Sequence, residues 1–352
     1  MTKLGRRTVY NRIYTEEIWA KVNEDNKSLL KDYLAYKTTG GCSPQTIYQY
    51  EQMIRLFFCW NYTHNKDIFF VDLKKRQLVG FFNYMVSDMG CSSNRISTVK
   101  SSLSSMSEYI ENVLDDEFPD FRNIVVKLKT PVKQPVREKT VMSEEQIQDC
   151  LDKLVAAKRY QAACYLALAV SCGARKAELI QFKTGWFTDE NIVYGCMWKT
   201  PETIRTKGAG KQGKLLHKFT FIKSFKPYYD LWMKYRKENN IESEWLFIVK
   251  NDDGTYRQAA ISSADSICRT ISAYMGVDFY SHSCRHRYVT MMKEAKLPDD
   301  VIVALVGWSK NGGSGLQMCS IYNDLDAADM LDDYFDENGI KQDIKVGTLN
   351  DI

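Results

Sequence analysis

The strongest constraint on the fold is an uninterrupted apolar run, Ala162-Ala163-Cys164-Tyr165-Leu166-Ala167-Leu168-Ala169-Val170. It is far shorter than the ~20 residues a helix needs to cross a bilayer. A segment with no polar face has nothing to offer water, so it reads as a helix buried on all sides, inside a domain large enough to surround it. Its end is marked by a glycine. In Ser171-Cys172-Gly173-Ala174-Arg175-Lys176-Ala177-Glu178-Leu179 an arginine follows the break and a carboxylate comes three residues later.

Other elements are placed around this helix by their own periodicities. Residues 1 to about 26 carry Lys3, Arg6, Arg7 and Arg12. They read as a basic arm, either touching phosphates through residues such as Arg6 and Arg7 or merely disordered. From about 27 to 122 the pattern is helical. Ser43-Pro44 is a helix start, followed by Ile47, Tyr50, Ile54, Phe57 and Phe58 at helical spacing. Ser92 or Ser93 caps a second long helix with Ile96, Val99, Leu103, Met106 and Ile110 as its buried stripe. The opposite face, Ser97, Lys100, Ser101 and Ser104, is either solvated or laid against a phosphate backbone. Asn123 to Thr140 reads as a linker, with Pro131 and Pro135 keeping it extended. Lys127, Lys129, Lys133, Arg137 and Lys139 oppose only Glu138 there.

A second domain, 141–352, opens with the capping-box pair Ser143 and Gln146. Residues 192 to 224 turn to strand character, with Ile192-Val193-Tyr194 and the alternation Lys218-Phe219-Thr220-Phe221-Ile222. Between them lies the glycine-rich turn Thr206-Lys207-Gly208-Ala209-Gly210-Lys211-Gln212-Gly213-Lys214, which lacks the spacing and following helix of a P-loop. It reads as a β-hairpin that presents a lysine. From Ile261, with Ser262 or Ser263 as cap, the chain is mostly helical to about Glu337. Ala327, Met330, Leu331, Tyr334 and Phe335 make an apolar stripe on a terminal helix of about 325–337, which packs either on its own domain or on a neighbour.

Composition narrows the class. Of 352 residues, 44% are hydrophobic and 26% charged, the balance of a soluble globular protein. The N-terminus is polar and basic rather than signal-like, and the ten cysteines include no C-x-x-C pair, which together predict a reducing cytoplasm. The net charge is +4, but the stretch from Asp324 onward holds nine acids and two lysines, so the remaining residues carry +11. A basic body of that kind suits a polyanionic partner.

The candidate chemistry centres on Ser281-His282-Ser283-Cys284-Arg285-His286-Arg287-Tyr288. On a helix, His282 and Arg285 share a face. An imidazole exchanges protons near neutrality, and a guanidinium is a fixed fork for phosphate oxygens. Alone, such a pair is as readily a polar patch. Downstream lie Leu305-Val306-Gly307-Trp308-Ser309 and Ile321-Tyr322-Asn323-Asp324. As an ordered set, Arg175 with Glu178, a hairpin lysine, His282-x-x-Arg285-His286, Trp308 after a glycine, and Tyr322 resemble the tyrosine recombinases of the phage integrase family.

That resemblance implies a mostly α (α+β) fold: an N-terminal helical core-site DNA-binding bundle and a C-terminal mixed helical catalytic domain with a small antiparallel sheet and β-hairpin. It implies a site-specific recombinase acting as a homotetramer on double-stranded DNA, with the C-terminal helix packing in trans, and with no metal, ATP or other cofactor. Tyr322 is the expected nucleophile, with Tyr334 as fallback, because Trp308 and Tyr322 are fourteen residues apart, a wider gap than usual in the family. Arg175 and Arg285 are expected on the nonbridging oxygens, joined by Trp308. The lysine is expected to protonate the leaving oxygen: Lys207 by the T-K-G match, with Lys211 and Lys214 as rivals. His282 relays the nucleophile's proton, while Glu178 and His286 are supports. Arg6, Arg7, Lys100, Lys133, Arg137, Lys211 and Lys214 are expected DNA contacts. Two rivals remain: a type IB topoisomerase, and a catalytically silent DNA-binding regulator on the same fold. No cluster of Asp/Glu at metal-binding spacing accompanies the motif, which disfavours a two-metal nuclease.

Overall fold

The computed structural model describes residues 12–129, 131, 142–207, 213–308, 315–317 and 319, and the backbone of 335–336 and 339–340. Described residues up to 131 belong to one compact unit and those from 142 onward to a second.

The first unit is helical: α1 (Glu16–Lys21), α2 (Glu24–Thr39), α3 (Pro44–His64), α4 (Lys75–Ser87) and α5 (Ser93–Val113). The expected caps are in place, with the Ser43 and Ser92 hydroxyls accepting from the N–H groups of Thr46 and Arg95. The α5 stripe from Ile96 to Ile110 is buried, and α3 packs against α1, α2, α4 and α5. Phe57 anchors this core, edge-on to Phe70 and Phe81 with ring centroids 5.9 and 5.0 Å away. Asn26 is a polar residue inside it, fully buried. Its side chain donates to the Ile68 carbonyl (3.1 Å) and accepts from the Phe70 N–H (2.9 Å), fixing the turn between α3 and α4.

Both edges of this unit differ from the sequence expectation. Ile13, Tyr14 and Val22 are core residues, so the arm reaches no further than residue 11. Phe121 and Val125 are buried in the same core, so the unit continues through the first residues of the expected linker. In each case short apolar clusters close the bundle, and they carry too few residues for a periodic pattern to reveal them.

The second unit is built around the apolar helix. It is α7 (Tyr160–Cys172), and it packs against α6 (Glu144–Ala156), α9 (Ile222–Glu238), α10 (Ile261–Met275) and α11 (Ser281–Glu294). A single turn, α8 (Lys176–Leu179), follows it, and α12 (Asp299–Val306) comes after α11. Ser143 and Gln146 form the expected reciprocal capping box on α6. Strands β1 (Ile192–Val193), β2 (Met197–Lys199) and β5 (Phe219–Phe221) make an antiparallel sheet in the order β1-β2-β5. Strands β3 (Ile204–Thr206) and β4 (Lys214–Leu216) form the expected hairpin, pairing Ile204 with Leu216 and Thr206 with Lys214. A second hairpin joins β6 (Ile248–Lys250) to β7 (Tyr256–Gln258).

Three local expectations are corrected. Ile222 starts α9 instead of ending a strand. α10 starts after Ala260, with no side-chain cap from Ser262 or Ser263. The terminal helix does not run through 336, because Phe335 and Asp336 (β8) pair with Ile340 and Gly339 (β9). The rest of the expected helix, with Tyr334, lies outside the described residues. Among the described residues, no helix is long and apolar enough to cross a membrane.

Asn26→Ala removes a buried amide and leaves the Phe70 N–H without its acceptor. Urea unfolding should show a loss of about 1–3 kcal/mol.

Candidate active site

Three chain segments, bearing Arg175, Lys218 and Arg285, converge on the Glu178 carboxylate in the second unit. Gly173 ends α7 with φ +57°, and a Cβ there would lie 2.6 Å from the Tyr288 ring, so only glycine lets the chain turn at that point. The turn leads into Arg175, just before α8. Glu178 reaches back, its Oε1 accepting from the Arg175 guanidinium (2.8 Å) and its Oε2 from the Arg175 N–H (3.0 Å). Oε2 also accepts from Lys218 Nζ at 2.9 Å, and both of those side chains are 1% exposed.

Arg285 is fully buried and ties two helix ends together. Its guanidinium donates to the carbonyls of Gly173 (3.0 Å) and Val306 (3.3 Å). These carbonyls lie at the C-terminal ends of α7 and α12, where helices leave acceptors unsatisfied and carry partial negative charge. Lys218 donates to the same Val306 carbonyl at 3.2 Å. Past it, Gly307 (φ +80°) swings the chain so that the Trp308 ring lies 5.1 Å from the Arg285 guanidinium carbon. The first turn of α11 is tied to the central helix by Ser281 and Tyr165, whose hydroxyls are 2.7 Å apart. The next residue, His282, faces outward, and its ring is edge-on to His286 at 5.8 Å.

Electrostatics follow from this crowding. Burial alone would raise the Glu178 carboxyl, but Lys218 and the bonds from Arg175 hold it below the usual carboxylate range. Burial and the charge of Arg285 pull the Lys218 ammonium below the usual lysine range, although Glu178 opposes this. His282 is pushed down to about 4 by partial burial and then by His286, Arg285, Arg175 and Lys207. Three cations around one carboxylate leave a positive excess suited to an anion with several oxygens. A neutral imidazole beside that excess is a proton acceptor at physiological pH.

The phage integrase family matches residues 140–328, more than half of the chain and the whole of this cluster. The chain belongs to the phage integrase family. It is 28% identical, over 286 residues, to the SPbeta prophage-derived recombinase-like protein YomM of Bacillus subtilis strain 168, covering 80% of this chain and 83% of that one. Its fold is similar to that of XerH site-specific recombinase bound to palindromic difH substrate, with TM-score 0.63, 15% identity, and 88% of this chain and 97% of that one covered. It is also similar to a lambda integrase tetramer bound to a Holliday junction, with TM-score 0.59, 14% identity, and 85% and 77% covered. A third likeness is to the Tn1549 transposon integrase in complex with circular intermediate DNA, with TM-score 0.57, 14% identity, and 86% and 97% covered.

Within this integrase-family unit, Arg175, Glu178, His282, Arg285, His286 and Trp308 lie in one neighbourhood. Lys207 is exposed, one residue past β3, and its charge is felt at His282. Lys214 is exposed at the start of β4. Tyr322, Lys211, Arg6, Arg7, Lys133 and Arg137 lie outside the described residues. The Lys100 ammonium donates to the carbonyls of Val126 and Leu128, strapping down the end of the first unit. The sequence leaves that face of α5 either solvated or against a phosphate backbone, and does not reveal that residues 125–128 return to it.

Lys218 is the residue that sequence reasoning missed. The signal was present in the alternation, which puts Lys218 on the same inward face as the buried Thr220. A lysine between a histidine and a phenylalanine in a basic segment gives no sign along the chain of its buried partner.

Two measurements test this electrostatic picture. Histidine-selective NMR should find His282 titrating near pH 4, well below an ordinary imidazole, and therefore neutral from about pH 5 upward. Glu178→Gln leaves Lys218 buried without its counter-charge and should cost about 3–5 kcal/mol at neutral pH. Because the Glu178 pKa is depressed on folding, its stabilisation is present above about pH 4.3, the unfolded value, and is lost as pH falls through the folded one. Acid unfolding of Glu178→Gln should accordingly lack that component.

Proposed function

We propose that this protein is a site-specific DNA recombinase that cuts and rejoins duplex DNA through a phosphotyrosyl link at Tyr322. The observation that carries the reading is the meeting of Arg175, Arg285, Trp308 and neutral His282 in one place, on a chain of the phage integrase family. Tyr322 Oη attacks phosphorus and the bond to the 5′-oxygen breaks, leaving a 3′-phosphotyrosine and a free 5′-hydroxyl. His282 takes the tyrosine proton and Lys207 donates one to the departing oxygen. Arg175, Arg285 and the Trp308 indole N–H hold the nonbridging oxygens as their charge grows, and loss of one such donor typically costs about 10²–10³ in rate. One ester replaces another, so a second 5′-hydroxyl reverses the step and no ATP is consumed.

The same reading gives the other parts their tasks. The helical first unit, the basic stretch after it and Lys211 and Lys214 on the hairpin contact the DNA backbone. Four copies act on two duplexes, and the C-terminal segment from about 325 packs on a neighbouring copy. Support for the assembly comes from the lambda integrase tetramer on a Holliday junction, to which this fold is similar.

The test starts with genomic DNA retained by Tyr322→Phe protein, sequenced to find the site and rebuilt as a nicked duplex that traps the covalent stage. Wild-type protein should form an adduct stable to denaturant, and Tyr322→Phe none. An adduct that survives Tyr322→Phe but is lost in Tyr334→Phe would move the nucleophile to Tyr334. Tight binding with no adduct from wild-type protein would make the chain a DNA-binding regulator.

A further inference from the structure

Lys218 sits at the centre of the site, buried, with its ammonium bonded to the Glu178 carboxylate and the Val306 carbonyl. Its backbone is fixed against Thr200, whose hydroxyl accepts from the Lys218 N–H at 3.1 Å and whose own N–H donates to the Lys218 carbonyl at 2.9 Å. Its ammonium is therefore placed by the end of the sheet, between Glu178 Oε2 and the Val306 carbonyl. Arg285 Nη1 lies 4.0 Å from that same Oε2, close enough to be attracted and too far for a hydrogen bond. Carboxylates and guanidiniums favour a bidentate pair. Here Oε2 already accepts from Lys218 and from the Arg175 N–H, and Arg285 instead bridges the Gly173 and Val306 carbonyls.

We infer that Lys218 is a positioning residue which, by occupying Glu178 Oε2, prevents that carboxylate from capturing Arg285 and keeps the guanidinium where it meets the substrate phosphate. The same ammonium holds the end of α12, one residue before Gly307, where a Cβ would come within 3.6 Å of Nζ and 2.8 Å of Leu216. Lys218 thus links the base of the hairpin that bears Lys207 to the turn that bears Trp308. The inference rests on the phosphoryl-transfer reading above for its consequence in rate, but not for its geometry.

The test is a double-mutant cycle read two ways: adduct formation on a nicked duplex at saturating DNA, and side-chain NMR of [¹⁵N]arginine-labelled protein without DNA. Lys218→Met should shift the Arg285 guanidinium resonances and slow adduct formation about 10²-fold, the loss expected for a group misplaced by about 1 Å. DNA affinity should be unchanged, the mark of an interaction made only in the transition state. In a Glu178→Gln background the same change should add little, because the capturing carboxylate is gone. Equal slowing in both backgrounds, or Arg285 resonances that stay in place in Lys218→Met, would overturn the inference. Should Lys218→Met alone fail to fold, Glu178→Gln is compared with the double variant, where both buried charges are removed together. A large further loss in that comparison overturns it, and a small one supports it. If wild-type protein forms no adduct, the proposed function fails by itself, and the Arg285 resonances still decide the role of Lys218.

Discussion

Everything at the site depends on keeping one carboxylate ionised inside the protein. Glu178 is almost fully buried, and burying a lone carboxylate is costly enough that it would ordinarily take up a proton. Lys218 and Arg175 prevent this, and the ionised group then acts as a fixed negative point around which cations are arranged. Arg175 is bonded through both its backbone and its side chain. Arg285 is held by backbone carbonyls at two helix ends. The arginines are thus ordered by the protein in advance, and the cost of ordering them is met in folding rather than at the moment of reaction.

Such an arrangement exchanges stability for geometry. Buried ion clusters contribute little net stability compared with well-packed apolar residues. Here the surrounding scaffold supplies what the cluster does not. The apolar α7 is buried among four other helices, and its glycine break delivers Arg175. Tyr165 on that helix reaches Ser281 beside His282, so the core helix also sets where α11 begins. A change in packing at α7 would therefore be felt at both the arginine turn and the histidine.

Much of this was legible in the residue order. Helix starts at Ser43, Ser92 and Ser143 were visible because capping is local: a side chain satisfies N–H groups two or three residues away. The hairpin around Lys207 was legible from glycines and alternation. The arm and linker boundaries were not, because Ile13, Val22 and Val125 gain meaning only from the distant residues they pack against. The partners of Lys100 and Lys218 were hidden for the same reason. Lys100 is bonded to the carbonyls of Val126 and Leu128, and Lys218 lies buried beneath the site.

The sequence by itself determined the family, the helical character of both units and the members of the Arg175, His282, Arg285 and Trp308 set, since motif spacing and periodicity are properties of neighbours along the chain. Only the tertiary structure decided how those members are held. Lys218 meets Glu178 across forty residues, and Arg285 meets Gly173 across more than a hundred. Contacts between residues so far apart are set by how helices pack, and no local pattern encodes them.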